Sequence, residues 1–476
     1  MSLRVENRLE LWAVAGLTLL GAALRFSTLD LQSFWHDEAV TVGRVLEPGL
    51  FSTLDHVPDS EAAPPLYYVL AWAWTKVFGH GEVGIRSLSA LFGTATIPVA
   101  WWAGRELVSA AAGLGAAALA AVSPYLVWYS QEARAYALLV LLCALSLALF
   151  GRALRRREGR LLWWWAGASA LALVTHYFAV FVVGPELVLL LVLLPERRRA
   201  VLAAGAAVTA VGVALVPLAV HQADRGHDRW IAQIPLGTRV KDTGREFLLG
   251  HSGSPSRALS ALAAVLLVAV AAVALWRTRR LGRWWPVAGI GAAALAVPLA
   301  GKVVGADYLY PRNLIEAWIP LAVALGAAAA APRVGPAAVG ALCLVLVGLT
   351  IAVDVDTKLQ RADWRAAAEA IGPAERDRAV VVPAVGDDPI AYYLPNAERL
   401  PRGGATVGEI DALGFSAAPR QRGRRVPAGF ARDGSRRAGA FTVTRYVART
   451  ARALSRPELA GARLGVGHAA VVVQRP

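Results

Sequence analysis

Only two cysteines stand in 476 residues, and both, Cys143 and Cys343, lie inside apolar runs. There they are small core residues, so any exported part of the chain carries no disulfide framework. Charge is scarce as well. Charged residues make up 17% of the sequence against 56% hydrophobic ones, with a mean hydropathy of +0.48, a balance that soluble domains seldom carry. No repeat of the solenoid kind is visible. No small-residue cleavage site follows the apolar run Leu11–Leu24, which therefore reads as a retained first span and not as a signal peptide.

Long apolar runs dominate instead. Ala258–Leu275 and Val334–Val353 contain no charge at all, and about 20 such residues cross the hydrocarbon core of a bilayer. By that criterion the chain has about eleven spans, near residues 9–28, 86–106, 108–128, 132–151, 161–176, 178–195, 200–220, 257–276, 284–301, 314–331 and 335–353. The formal net charge is +15. Its arginines gather in short connections: Arg152, Arg155, Arg156, Arg157 and Arg160; Arg197, Arg198 and Arg199; Arg277, Arg279, Arg280 and Arg283. Trp101, Trp102, Trp163, Trp164, Trp165, Trp276, Trp284 and Trp285 flank the same connections. This is the positive-inside bias with its aromatic belt, and it argues against nucleic acid as a partner. It puts the N-terminus in the cytoplasm and the segments 29–85, 221–256 and 302–313 outside. An odd number of spans then puts residues 354–476 outside too.

The expected fold is thus a polytopic α-helical membrane domain over residues 1–353 and a small extracytoplasmic α/β domain over 354–476. In segment 29–85, Pro64-Pro65-Leu66-Tyr67-Tyr68-Val69-Leu70, running on to Gly79, reads as a helix lying at the membrane interface. In the C-terminal part, Trp364–Ile371 and the start at Asp387-Asp388-Pro389 read as helices. Ala379–Val382, Phe441–Val447 and Ala469–Gln474 read as strands, and the Arg/Gly-rich stretch 417–440 as a loop.

Candidate chemistry concentrates in the N-terminal third. Arg25 is followed by Ser33-Phe34-Trp35-His36-Asp37-Glu38-Ala39, Pro64-Pro65-Leu66-Tyr67-Tyr68, Arg86-Ser87-Leu88-Ser89-Ala90-Leu91-Phe92-Gly93, Ser130-Gln131-Glu132-Ala133-Arg134-Ala135-Tyr136 and Thr175-His176-Tyr177. This series resembles the integral-membrane glycosyltransferases of the GT-C superfamily, in particular the bacterial mannosyltransferase-like group related to protein O-mannosyltransferases and the lipid A aminoarabinose transferase. The resemblance is strong over residues 10–200 and weak at Tyr310-Pro311-Arg312-Asn313. It implies a polyprenyl-phosphate-linked sugar donor, transfer on the outer face with inversion at the anomeric carbon, and a glycan, lipid or protein acceptor. It maps the family's acidic pair onto Asp37 and Glu38, with Asp37 as catalytic base, and puts Tyr67, His176 and Tyr177 on the substrate side. Where the family commonly has a histidine before Pro-Pro-Leu-Tyr, this chain has Ala63.

The chemistry agrees with that implication. An acceptor hydroxyl is a poor nucleophile, so a carboxylate placed against it accelerates attack. A phosphate leaving group needs cations more than an acid. Arg134 and Arg312 are the candidates, since the guanidinium fork suits phosphate, with Lys302 a weaker one. Glu186 lies within a span, where an acid is either a functional group or a helix–helix hydrogen-bonding one, and it is left outside the site. His36, Asp55, His56, Asp59 and Glu61 enrich segment 29–85 in ligand atoms, which makes Mg²⁺ or Mn²⁺ a candidate cofactor, with Asp37, Glu38 and His56 as candidate ligands. Three other readings compete: an enzyme that polymerises or ligates lipid-linked oligosaccharides, a non-catalytic scaffold or receptor that works through residues 354–476, and a secondary transporter, which the missing internal repeat disfavours.

Overall fold

A computed structural model describes residues 2–226, 229–279, 284–305, 307–416, 426–460 and 469–476. Arg280, Arg283 and the first part of the 417–440 stretch lie outside the described residues. The chain forms two compact units, one helical, of Met1–Leu29 and Val45–Leu359, and one built on a sheet, of Asp30–Arg44 and Gln360–Pro476. The sequence reading assigned all of 1–353 to the membrane domain. In the structure the stretch that carries Asp37 and Glu38 belongs to the sheet unit.

The helical unit is that of a multi-pass membrane protein. Among the described residues, seven helices are long and apolar enough to cross a bilayer: Arg8–Phe26, Glu82–Leu107, Tyr136–Arg156, Pro195–Asp224, Arg257–Thr278, Pro311–Ala330 and Val334–Val355. The pair Ala110–Val122 and Pro124–Ser130, bent by 58°, makes an eighth if it is one span. Tyr177–Leu193 and Trp285–Gly301 are shorter apolar helices, and Gly159–Thr175 has 17 residues. All eleven expected segments therefore fall on helices, although fewer meet the length and apolarity of a full span. Leu66–Phe78 is a helix as expected, ended by Gly79 at φ 80°, a conformation that glycine reaches without a Cβ penalty. Leu50–Ser60 and Leu236–Leu249 are also helical, in stretches where the sequence alone predicts no helix.

The 58° bend has a local cause. Ser123 ends one helix and its hydroxyl accepts the Leu126 N–H that opens the next, with Pro124 at the first position. The last carbonyls of the first helix would be orphaned inside the bundle. The fully buried Arg25 donates to two of them, Ala120 at 2.9 Å and Ala121 at 2.8 Å, and to Ser130 Oγ at 3.2 Å. A cation at the negative end of a helix is favoured. Gly93 makes the approach possible: a Cβ there would stand 2.0 Å from Ser130 Oγ.

Among the described residues the sheet unit holds six strands, β1 Arg378–Pro383, β2 Ala397–Arg399, β3 Ala405–Phe415, β4 Phe430–Ala438, β5 Phe441–Leu454 and β6 Ala469–Gln474, in the order β2-β6-β1-β3-β5-β4. Only β1 and β3 pair in parallel. Alternate residues of a strand face opposite sides, so β1 serves two cores. Val380 and Val382 pack with Trp364, Ile371, Ile390 and Phe441 under the helices Trp364–Ile371 and Asp387–Tyr393. Ala379 and Val381 pack with Ile410, Tyr446 and Leu459 on the other side. Burial on both sides explains why β1 reads as an unbroken apolar run. β4 corrects the expected loop over 417–440. Its exposed polar residues hide the alternation that marks a strand, and pairing with β5 makes it one.

Candidate active site

In the helical unit, the motifs of the N-terminal third knit together. Tyr67 is fully buried, and its hydroxyl lies 3.3 Å from Ser89 Oγ, which in turn meets the Arg134 carbonyl at 3.4 Å. Gln131 Nε2 donates to the carbonyls of Leu24 and Arg25 and to Thr28 Oγ1, and Arg86 to the Leu29 carbonyl at 2.8 Å. Arg25, Arg86, Gly93, Ser130 and Gln131 thus form a frame, held in the bonds just given by backbone carbonyl and hydroxyl groups.

Arg134 is different. Its guanidinium meets the Glu61 carboxylate at 2.5 Å, with side-chain exposures of only 10% and 2%. Glu61 lies just before Pro64-Pro65, in the turn that the sequence reading named for its acids but left out of the site. His176 caps the helix Gly159–Thr175, and its Nδ1 accepts the Phe178 N–H at 3.4 Å. The imidazole packs near Tyr136 and Phe178, at 6.1 and 4.8 Å between ring centroids. Arg134 and Arg312 both act electrostatically on that ring. The Arg312 guanidinium lies 5.5 Å from the Trp230 ring and 5.8 Å from Tyr310, within cation–π range. So Arg134 and Arg312, chosen from separate motifs, both lie within electrostatic reach of His176.

Tyr177 anchors rather than lines this group. Its hydroxyl donates to Gln222 Oε1 at 2.8 Å, and Gln222 Nε2 donates to the carbonyls of Val57 and Ala63. Position 63, where the family has its histidine, is therefore held by its backbone. Nothing in the sequence distinguishes Gln222 from any other polar residue at a helix end. Lys302 lies 3.8 Å from Asp307, which two hydrogen bonds tie to the buried Arg239. These bonds hold the Asp307 carboxyl below the usual carboxylate range. Glu186 is fully buried and accepts from Trp165 Nε1 at 2.8 Å and Ser146 Oγ at 3.3 Å, an interhelical tie.

A cavity of about 460 Å³ opens in the same unit, lined almost wholly by apolar side chains, among them Leu119, Phe247, Leu275, Trp318, Leu342 and Leu346. Phe247 connects it to the charged group. Its ring lies 5.0 Å from Tyr125; Tyr125 lies 5.0 Å from Tyr129, and Tyr129 5.1 Å from Tyr136 beside His176. An apolar chamber and a cationic group are thus joined by a run of aromatic rings.

In the sheet unit, Asp37 and Glu38 fall in the first turn of the helix His36–Val40, capped by Trp35. Glu38 is fully buried, accepts the Trp35 N–H and pairs with Arg361 at 3.3 Å. Asp37 is half-buried. The stretch is tied down on both sides: Trp364 N–H donates to Ser33 Oγ at 2.9 Å, Phe34 N–H to Tyr393 Oη at 2.7 Å, and Arg44 pairs with Asp388. His36 Nδ1 lies 3.4 Å from Asp388.

The expected metal ligands were Asp37, Glu38 and His56. Glu38 is engaged by Arg361, and His56 is exposed on the helix Leu50–Ser60, its Nδ1 2.7 Å from the Ser52 carbonyl. Among the described residues the trio with ligand spacing is His36, Asp387 and Asp388. Arg44 and Arg399 already bind Asp388, and two guanidiniums on one carboxylate suit an ion-pair hub better than a hard divalent cation.

Comparison with known proteins follows the same lines. Residues 62–222 match the family model of dolichyl-phosphate-mannose-protein mannosyltransferases. No curated protein matches the chain. Among solved structures, ArnT from Cupriavidus metallidurans in the apo state superposes with a TM-score of 0.57 at 14% identity, over 91% of this chain and 97% of that one. The same protein bound to undecaprenyl phosphate gives 0.55 at 15% identity, with equal coverage. The Archaeoglobus fulgidus oligosaccharyltransferase in the apo form gives 0.47 at 13% identity, over 75% of this chain and 57% of that one. The fold is that of the GT-C glycosyltransferases.

Proposed function

We propose that this chain, a membrane glycosyltransferase of the GT-C type, transfers a sugar from a polyprenyl monophosphate to a hydroxyl acceptor on the extracytoplasmic face. The observation that carries the reading is the joining of an apolar chamber of about 460 Å³ to a group containing Arg134, His176 and Arg312 through a run of aromatic rings. A lipid-linked phosphate has this two-part chemistry, a long apolar tail and an anionic head. A solved structure of ArnT is bound to undecaprenyl phosphate, which supports that donor class here. The family matched by residues 62–222 is named for mannose, and a hexose of that kind is the proposed cargo.

In the proposed reaction the acceptor oxygen attacks the anomeric carbon and gives its proton to the Asp37 carboxylate. The bond from the anomeric carbon to the donor phosphate oxygen breaks, and the polyprenyl phosphate leaves with the bonding electrons. Attack from the opposite side inverts the configuration. Arg134 and Arg312 are the proposed ligands of the departing phosphate, where charge builds as the bond breaks. Glu38, engaged by Arg361 and the Trp35 N–H, positions the helix that carries Asp37. No step passes through a metal.

Purified full-length protein given a radiolabelled polyprenyl-phosphate hexose and an envelope extract should release polyprenyl phosphate and label the extract. Transfer from a nucleotide sugar with no lipid carrier present would overturn the donor assignment. A reporter fused after Pro476 should be active only in the exported compartment. Cytoplasmic activity there would overturn the orientation.

A further inference from the structure

Charge is unevenly spread along this chain. Residues 420–456 hold eleven arginines and one acid, Asp433, so ten of the fifteen net positive charges fall in one short segment. Its described part is the hairpin of β4 and β5, and β4 is an edge of the sheet. Arg445 is spoken for, bound to Asp411 at 2.8 and 2.9 Å. Arg432, Arg436, Arg437, Arg449 and Arg452 are exposed, and none of the five makes an ion pair with a described residue.

Edge strands carry charges for a plainer reason, to deter pairing with other chains. A few charges suffice for that. A block of one sign instead repels itself, and a bound polyanion relieves the repulsion. The register shows how the block is displayed. Arg432 pairs with Tyr446 and Arg437 with Thr442 on one side of the sheet, while Arg436 pairs with Val443 on the other. Arg432 to Arg437 covers roughly 17 Å at about 3.3 Å per residue. A flat lipid surface meets one side of such an edge. A flexible linear chain follows the edge and meets both. The aromatic residues of the hairpin, Phe430, Phe441 and Tyr446, are buried in the two cores, so the hairpin's own side chains offer nucleic-acid bases no ring to stack on.

We infer that the β4–β5 hairpin is a binding edge for a linear anionic glycan, one bearing carboxylate or phosphodiester groups along its length. Arginine forks read both groups in the same bidentate way. The inference stands apart from the transfer reaction, because binding is read without turnover.

The test uses the full-length protein in zwitterionic nanodiscs, titrated with fluorescent polygalacturonate, with polyphosphate, and with neutral dextran of equal length. Polygalacturonate or polyphosphate should bind, and dextran should not; whichever anion binds more tightly tells carboxylate from phosphate recognition. Replacing Arg432, Arg436 and Arg437 together by Thr, which keeps strand preference, should weaken binding at least tenfold. It should also lower the slope of log affinity against log salt by about 2–3, close to one per lost ionic contact. The Arg432→Lys, Arg436→Lys, Arg437→Lys variant guards against misfolding and should keep the slope. An unchanged slope in the Thr variant, equal dextran binding, or tighter binding of a single-stranded oligonucleotide would overturn the inference. So would hydrogen-exchange protection of residues 430–454 that appears with anionic lipid alone, which would assign the hairpin to headgroups.

Discussion

Glu61 and Arg134 meet at 2.5 Å although 73 residues separate them in sequence, and both are shielded from water. The pair joins the turn before Pro64-Pro65 to the start of the helix Tyr136–Arg156. It also keeps a cation in place where a buried, unpaired one would be expelled. Breaking a buried ion pair by removing one partner costs about 3–5 kcal/mol. Arg134→Ala and Glu61→Ala should each lower the unfolding midpoint in detergent. The double variant should be much less damaged than the sum of the two. Simple additivity would show that the two side chains do not act as a pair.

Asp37→Asn keeps size and hydrogen bonding but removes basicity. Turnover should fall by about 10²–10⁴-fold, the scale of lost general-base catalysis, while polyprenyl phosphate binds as before. Glu38→Gln can still accept the Trp35 N–H but no longer faces Arg361 as an anion, so its turnover should fall less. Normal turnover in a folded Asp37→Asn protein would remove Asp37 from the mechanism.

Filling the apolar chamber should act on the lipid and not on the chemistry. Ala271 lines it, and Ala271→Phe occupies part of its volume. Affinity for long-chain polyprenyl phosphate should drop at least tenfold, a loss of about 1.4 kcal/mol, and a short-chain analogue should bind unchanged. Equal weakening of both lengths would place the tail elsewhere.

Asp307 supplies a pH signature. Hydrogen bonds from Arg239 hold its carboxyl below the ordinary value. A depressed carboxyl stabilises the fold above its unfolded pKa, about 3.9, and the contribution fades as pH falls through the lower folded value. The difference in unfolding midpoint between the native protein and Asp307→Asn should therefore be constant from pH 8 to pH 5 and close below about pH 4. A difference that widens on acidification would reverse the sign of the effect.

Much of the helical unit was legible from composition, because in a bilayer the length of an apolar run and the spacing of arginines are themselves structural constraints. Ala258–Leu275 needed no partner to declare itself a helix. The strands β1 and β6 were legible for a similar reason, since burial on both sides writes a continuous apolar run, and β5 was legible over Phe441–Val447 through its β-branched and aromatic residues. The motif residues Arg134, His176 and Arg312 were each visible by type.

What they do together was decided by tertiary structure. Glu61 looked like one of several acids in a polar segment until folding set it against Arg134. Gln222 had no sequence signal at all, because a hydrogen bond to two distant carbonyls depends on where those carbonyls are brought. β4 read as a loop, since a strand whose exposed side chains are mostly arginine has no alternation and exists through its ladder with β5. Most consequential is the placement of Asp37 and Glu38. Sequence order puts them between two membrane helices, yet Ser33, Phe34 and Arg44 bind Trp364, Tyr393 and Asp388, more than 300 residues away. Hydrophobic length is a property of one segment and can be read locally. Pairing of polar groups is a property of two, and it is settled when the chain brings them together.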